Sequence, residues 1–245
     1  MPDATSALVL HSGGQEVTLE QLDEIRAPEP QGRWYPVAHG KVYRRVKETL
    51  GAAGYEVVKE KLAVARKGAR FFGVLDLKTR VSDGVSLAVG VRNSTDKSFP
   101  LGFCAGNRVF VCDNLAFRSE LLIRRKHTMN GERRFDQAIA VAVSSLSSFR
   151  EEEERRVRLL QGTPLGETLA EALILRAWDK CVIGGHQLSR VLHEWRSPSY
   201  PGFEERTAWR LFNAFTAVLT ERSVSQPHGF VAQTMQLHHL MEQAV

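Results

Sequence analysis

Between Tyr55 and Cys112 the chain is written in short β-rich runs separated by turn chemistry, and no other stretch constrains the fold as much. Runs long enough for one strand each, joined by a few turn residues, are the pattern of sequential antiparallel strands. The first covers about Glu56 to Ala65, and Arg66-Lys67-Gly68-Ala69 reverses it into Arg70 to Thr79. Asp83-Gly84 is the next reversal, leading into Val85 to Asn93. After Ser94 to Ser98, a fourth run from Phe99 to Phe103 precedes a Gly106-Asn107 turn, and Arg108 to Cys112 completes the meander.

Helical periodicity flanks this region. Thr18-Leu19-Glu20-Gln21 has capping-box spacing, so a short helix runs toward Ile25. Pro28, Pro30, Gly32 and Pro36 interrupt regular structure, making Ala27 to Pro36 a linker that carries Trp34 and Tyr35 onto the surface. A helix from near His39 places Val42, Val46 and Leu50 on one face and Lys and Arg residues on the other. Beyond the strands, Phe135, Ile139, Val143, Leu146 and Phe149 recur at three- and four-residue intervals, predicting one long helix from Asn130 to about Gln161. Its second half, with Glu151 to Glu154 opposite Arg155, Arg156 and Arg158, reads as a solvated charge zipper. Leu165 to Val182, His186 to Trp195, Thr207 to Thr220 and Gly229 onward are helical as well. The expected architecture is α+β: an antiparallel β-meander packed against a long helix, with a helical C-terminal half. Three divisions follow, an N-terminal segment and linker (1–36), an α+β core (37–162) and a helical region (163–245).

A chain of 245 residues buries a substantial core without disulfides or a structural metal. Cys104, Cys112 and Cys181 form no C-x-x-C pair, so neither a disulfide framework nor a zinc site is suggested. No stretch approaches the roughly 20 apolar residues of a membrane span, and no basic-then-apolar leader opens the chain, so it reads as cytoplasmic with no membrane partner.

Charge is distributed unevenly. Acids dominate from Glu16 to Glu29, whereas Lys41 to Lys47, Lys59 to Arg80, and Arg118 to Arg134 are basic, for a formal net charge of +5. That balance permits an anionic partner. The candidate nucleic-acid-binding residues are Arg66, Lys67 and Arg70 of the first hairpin, Arg92, Asn93, Ser94 and Lys97 around the next turn, and Arg124, Arg125, Lys126 and His127. Asn, Ser and Asp in the Asn93 to Ser98 run suit a tight turn, but with Arg92 and Lys97 they also supply donors to phosphate. The Arg124 to Thr128 run precedes the long helix, whose N-terminal dipole favours anions. Cys112-Asp113-Asn114 reads as a strand end that caps a following helix.

Phosphate-binding loops, nucleophile elbows, zinc-protease and dinucleotide fingerprints are all missing from the sequence. Asp76-x-Lys78 with Glu56 or Glu60 upstream is the one pattern compatible with a Mg²⁺-dependent nuclease. His186 and His193, and the His238-His239 pair, are poor metal candidates. No catalytic residue, metal ligand or cofactor is assigned, and a non-enzymatic role is expected.

The run Arg92-Asn93-Ser94-Thr95-Asp96-Lys97-Ser98, followed by Arg108-Val109-Phe110-Val111-Cys112-Asp113-Asn114, resembles the phage/plasmid-like proteins grouped as a domain of unknown function. Arg125-Lys126-His127-Thr128 is similar to that family's basic-His-Thr signature, and Ala208 to Thr216 to its aromatic-Asn-Ala-x-Thr segment. The resemblance spans roughly Gly51 to Thr220, with Thr95 and Lys97 where His and Gly are common. It implies a mobile genetic element, phage or plasmid, near DNA-processing genes, and transfers no catalytic residues. Together these features lead to a nucleic-acid-binding protein that holds or anneals single-stranded DNA in recombination, forming homo-oligomers by fold-level analogy with ring-forming annealing proteins. The alternatives are the Mg²⁺-dependent nuclease and a protein-interaction module that inhibits host defence through its helical half.

Overall fold

Left-handed backbone at Arg66, Lys67 and Gly68 (φ 54°, 56° and 82°) and at Gly84 (φ 72°) turns the chain back on itself twice and produces the meander. The computed structural model describes residues 15–109, 115–117, 123–223 and 227–243. Its strands are β1 (Gln15–Val17), β2 (Val57–Ala65), β3 (Arg70–Ser82), β4 (Val85–Ser94), β5 (Leu101–Val109), β6 (Leu115–Phe117) and β7 (Ile123–Arg125). All pairings are antiparallel in the order β1-β2-β3-β4-β5-β6, and β7 joins the same edge of β5 as β6.

Helix α1 (Leu19–Glu24) starts at Thr18, whose side chain and that of Gln21 form the expected capping box. Helix α2 (His39–Ala52) buries Val42, Tyr43, Val46 and Leu50 against the sheet. Then follow α3 (Gly131–Ser144), α4 (Leu146–Gly162), α5 (Glu167–Asp179), α6 (Gly185–Arg196), α7 (Ala208–Ser223) and α8 (Pro227–Met241). The chain is thus mixed α+β, with an antiparallel sheet and a helical C-terminal half. The buried apolar cluster is continuous from Leu22 through Phe71 and Phe103 to Leu240, so no gap in packing marks the 162–163 boundary. Among the described residues no helix is long and apolar enough to cross a membrane.

Two expectations need correction. Gly106-Asn107 is not a turn, because β5 runs straight through it, with Gly106 opposite Ala88 and Asn107 opposite Leu87. The helix expected over Asn130 to Gln161 is two helices that meet at Ser145. The hydroxyls of Ser144 and Ser145 both donate to the Val141 carbonyl (2.7 and 3.0 Å), competing with the backbone ladder at that point. The apolar period continues across the break, with Phe135, Ile139, Val143, Leu146 and Phe149 all buried, which is why the sequence reads as unbroken.

Opposed residues in an antiparallel pair share a face. Phe71, Val91, Asn93, Leu75, Val89 and Phe103 face α2, which bonds to this side through Tyr43 to Glu60 and His39 to Asn93. The row Ala63, Phe72, Arg92, Gly102, Arg124 crosses five strands on the other face. The adjacent Phe71 and Phe72 accordingly divide: Phe71 is fully buried and Phe72 half-buried.

Candidate nucleic-acid interface

Register brings three separate basic segments to one end of the sheet. Ala65 opposes Arg70, Arg70 opposes Ser94, Arg92 opposes Gly102, and Gly102 and Leu101 oppose Arg124 and Arg125. The Thr95 amide donates to the Ala69 carbonyl at 2.8 Å, locking the 66–69 turn to the 95–100 loop. Segments 66–70, 92–99 and 124–127 together carry eight Lys and Arg residues and one acid, Asp96. Arg124 and Arg125 belong to β7 and not to a loop, and β7 packs against α3.

Pairing separates these cations from the other basic clusters. On α2, Lys41 pairs with Glu132 (2.6 Å), Arg44 with Asp23, Arg45 with Asp136 (3.3 Å) and Lys47 with Glu60 (2.7 Å). Arg150 and Arg158 pair with Glu154, and Arg156 with the fully buried Glu153. At the sheet end, Arg70 pairs with Asp96 (2.7 Å), but Arg66, Lys67, Arg124 and Lys126 are exposed with no carboxylate partner among the described residues. Exposed Arg133 and Arg134 in the first turn of α3 continue the run. Asp96 is further engaged by the Ser98 amide and hydroxyl. Burial alone raises its carboxyl, but the Ser98 and Arg70 hydrogen bonds outweigh this and hold it below the usual carboxylate range.

Arg92 and Arg124 flank Gly102. A methyl at Gly102 would lie 2.8 Å from both Cγ and Nε of Arg92, so the glycine leaves the space that the arginine occupies. The Arg92 guanidinium lies 5.3 Å from the Phe99 ring centroid, and Phe99 in turn contacts Phe72 at 5.4 Å. Burial, and then the Arg124 charge, lower the Arg92 pKa from its ordinary value. Cys104, two residues along on the same face, is an inert buried thiol, pushed up to about 12 by burial.

Asn93, Ser94 and His127, expected among the surface donors, are buried. The Asn93 amide donates to the Val37 carbonyl (2.7 Å) and to His39 Nδ1 (2.9 Å), and His39 Nε2 donates to the Gly68 carbonyl (2.9 Å). This chain of bonds fixes the His39 tautomer and ties the linker, α2, β4 and the 66–69 turn together. The Ser94 hydroxyl bonds the Phe99 carbonyl and amide, closing the loop. These three residues support the basic end from beneath, where phosphate does not reach. His39 escaped the sequence reading because nothing local marks it, its partners being 29 and 54 residues away.

Burial lowers the pKa of both His39 and His127, and neither ring nitrogen of His127 has a hydrogen-bond partner. A histidine held neutral by burial binds fewer protons folded than unfolded, so stability is fully present above the unfolded value, about 6.5, and is lost as pH falls below it. Thermal melting between pH 7.5 and 5 should show a decline in stability as pH falls, of at most about 1.4 kcal/mol per pH unit for each histidine. Replacing His127 with Leu is expected to flatten it, and an unchanged profile in that variant would rule out His127 as a source.

Of the nuclease residues, Glu56 and Lys78 meet, but Asp76 and Glu60 do not share a face. Asp76 is 4% exposed, Glu60 stands opposite Leu75 on the other face and accepts from Tyr43 and Lys47, and Glu56 pairs with Lys78 (2.8 Å). His186 and His193 are exposed, His238 packs on Phe212, and no group of three metal-ligating side chains occurs among the described residues. Cys112-Asp113-Asn114 and Arg118 lie outside the described residues. The Ala208 to Thr216 segment is packing: Trp209 stacks on Phe212, Asn213 donates to the Trp209 carbonyl and Arg210 to three others. A 520 Å³ cleft at the opposite end of the sheet, lined by Asp83, Glu204 and Glu205 among others, has the wrong sign for an anion.

Fold and site together define an antiparallel-sheet α+β protein with a basic sheet end where four cations lack a carboxylate partner among the described residues. No protein-family model, no curated protein and no solved structure matches the chain.

Proposed function

We propose that this is a nucleic-acid-binding protein that holds single-stranded DNA at the basic end of its sheet, working in the cytoplasm, as a homo-oligomer, on behalf of a phage or plasmid. The observation that carries the reading is the gathering of Arg66, Lys67, Arg124 and Lys126 at one end of the sheet without carboxylate partners among the described residues, while the cations of α2 are paired. Unpaired surface cations displace counterions from a phosphate backbone, whereas ion-paired ones must first give up a partner. Arg66 and Lys67 also hold left-handed backbone that L-residues enter at a cost of roughly 1–2 kcal/mol each, a cost that makes sense where the side chains are needed. The resemblance to phage/plasmid-like proteins supports the same setting.

Fluorescence anisotropy with a labelled oligonucleotide in chelator tests the reading. Micromolar or tighter binding to a single strand at low salt is expected, with no need for divalent metal. Failure to bind any nucleic acid at low salt would remove it, and cleavage dependent on Mg²⁺ and on Asp76 would transfer the argument to the nuclease alternative.

A further inference from the structure

The linker folds into a tight turn beside the basic end of the sheet. Gln31 and Trp34 exchange two backbone hydrogen bonds (2.9 and 3.0 Å) around Gly32, whose φ of 59° permits so tight a turn, and exposed Arg33. Pro30 and Pro36 stiffen the flanks, and the Tyr35 amide donates to the His127 carbonyl (3.1 Å), fastening the turn beside the Arg124 to Lys126 run. Trp34 is half-buried, with its Nε1 edge shielded and without an acceptor. Over its ring lies the Lys97 ammonium, 4.8 Å from the centroid and 3.0 Å from Gln31 Oε1.

We infer that Trp34 is a base-stacking residue that gives the basic end its preference for single strands, with Lys97 passing from the ring to a backbone phosphate when a base takes its place. The inference rests on the nucleic-acid reading above. An exposed ammonium on an aromatic face is held weakly, so a nucleobase competes for the same face at little cost. A duplex keeps its base faces stacked internally, so this contact is open only to unpaired bases, whereas phosphate contacts serve both forms. Rigid backbone on both sides of the ring means that little ordering is needed on binding.

Anisotropy titrations of a mixed-sequence single strand and its duplex, at two salt concentrations, compare the wild type with Trp34→Phe, Trp34→Leu and Lys97→Gln. Trp34→Leu is expected to lose about tenfold in single-strand affinity at both salts, with duplex affinity and salt slope unchanged. Trp34→Phe retains most of the affinity, and Lys97→Gln lowers the salt slope by up to about one unit. Leucine fills the buried part of the site, and a melting temperature close to wild type for either Trp34 variant keeps the comparison valid. Equal losses on single strand and duplex, or no loss in Trp34→Leu, overturn the inference while leaving the nucleic-acid reading intact. A wild type that binds neither form overturns both.

Discussion

Replacing Arg210 with leucine is expected to destabilise the fold by about 3–5 kcal/mol. Arg210 is 6% exposed, and its three guanidinium nitrogens donate to the carbonyls of Trp195 (2.7 Å), Glu204 (2.8 Å) and Arg196 (3.0 Å). Two of those carbonyls end α6, so the arginine caps a helix and meets the negative end of its dipole. Its plane also lies 5.3 Å from the centroid of the fully buried Trp195 ring. Leucine removes all three donors at once and leaves one buried and two partly buried carbonyls without that partner. Lysine restores at most part of this, because a single ammonium cannot reproduce the fork. For a chain of this size the loss corresponds to a fall in melting temperature of roughly 6–20 °C, with the lysine variant in between. A shift of less than about 2 °C for Arg210→Leu would mean that the three carbonyls find other partners.

The second large effect has opposite signs on two readouts. Lys67 and Gly68, with φ of 56° and 82°, occupy the central positions of the turn closed by the Ala69 amide on the Arg66 carbonyl (3.2 Å). Positive φ at both central residues is the geometry of a type I′ turn, for which Asn-Gly is the favoured pair. Arg66→Asn with Lys67→Asn is expected to raise stability by roughly 1–2 kcal/mol, since asparagine enters the left-handed region more readily. The same change removes two unpaired cations from the sheet end and should weaken single-strand binding on the order of tenfold at low salt. A variant that melts higher and binds worse cannot be dismissed as misfolded. Unchanged affinity would exclude this turn from the interface.

Much of this fold is legible in the sequence because its turns are chemically explicit. Arg66 to Ala69 and Asp83-Gly84 announce their hairpins, and the capping box at Thr18 announces α1. Errors arise where a local signal is overruled from a distance. Gly106-Asn107 carries turn chemistry, yet the long neighbouring β4 offers it a ladder, and pairing with Ala88 and Leu87 wins. The Ser144-Ser145 break hides inside an unbroken apolar period because hydroxyl-to-carbonyl bonds leave no trace in hydropathy. The three-residue strands β1, β6 and β7 are too short to stand out, and they exist through their partners β2 and β5.

The site shows the same division. That Arg66, Lys67, Arg124 and Lys126 are basic is evident from the chain, but which cations remain unneutralised depends on ion pairs such as Arg45 with Asp136, 91 positions apart. Asn93 and Ser94 look like phosphate donors in sequence because the same side chains build loops and bind anions. Only burial and named partners separate those uses, and here both residues are inside.

Salt dependence of single-strand affinity, for the wild type and for a variant with Arg124, Arg125 and Lys126 all changed to Gln, tests the central claim most directly. The wild type should lose affinity linearly on logarithmic axes, and the variant should bind more weakly with a slope shallower by about two. Affinity indifferent to salt, or an identical slope in the variant, would contradict the assignment of nucleic acid to this end of the sheet.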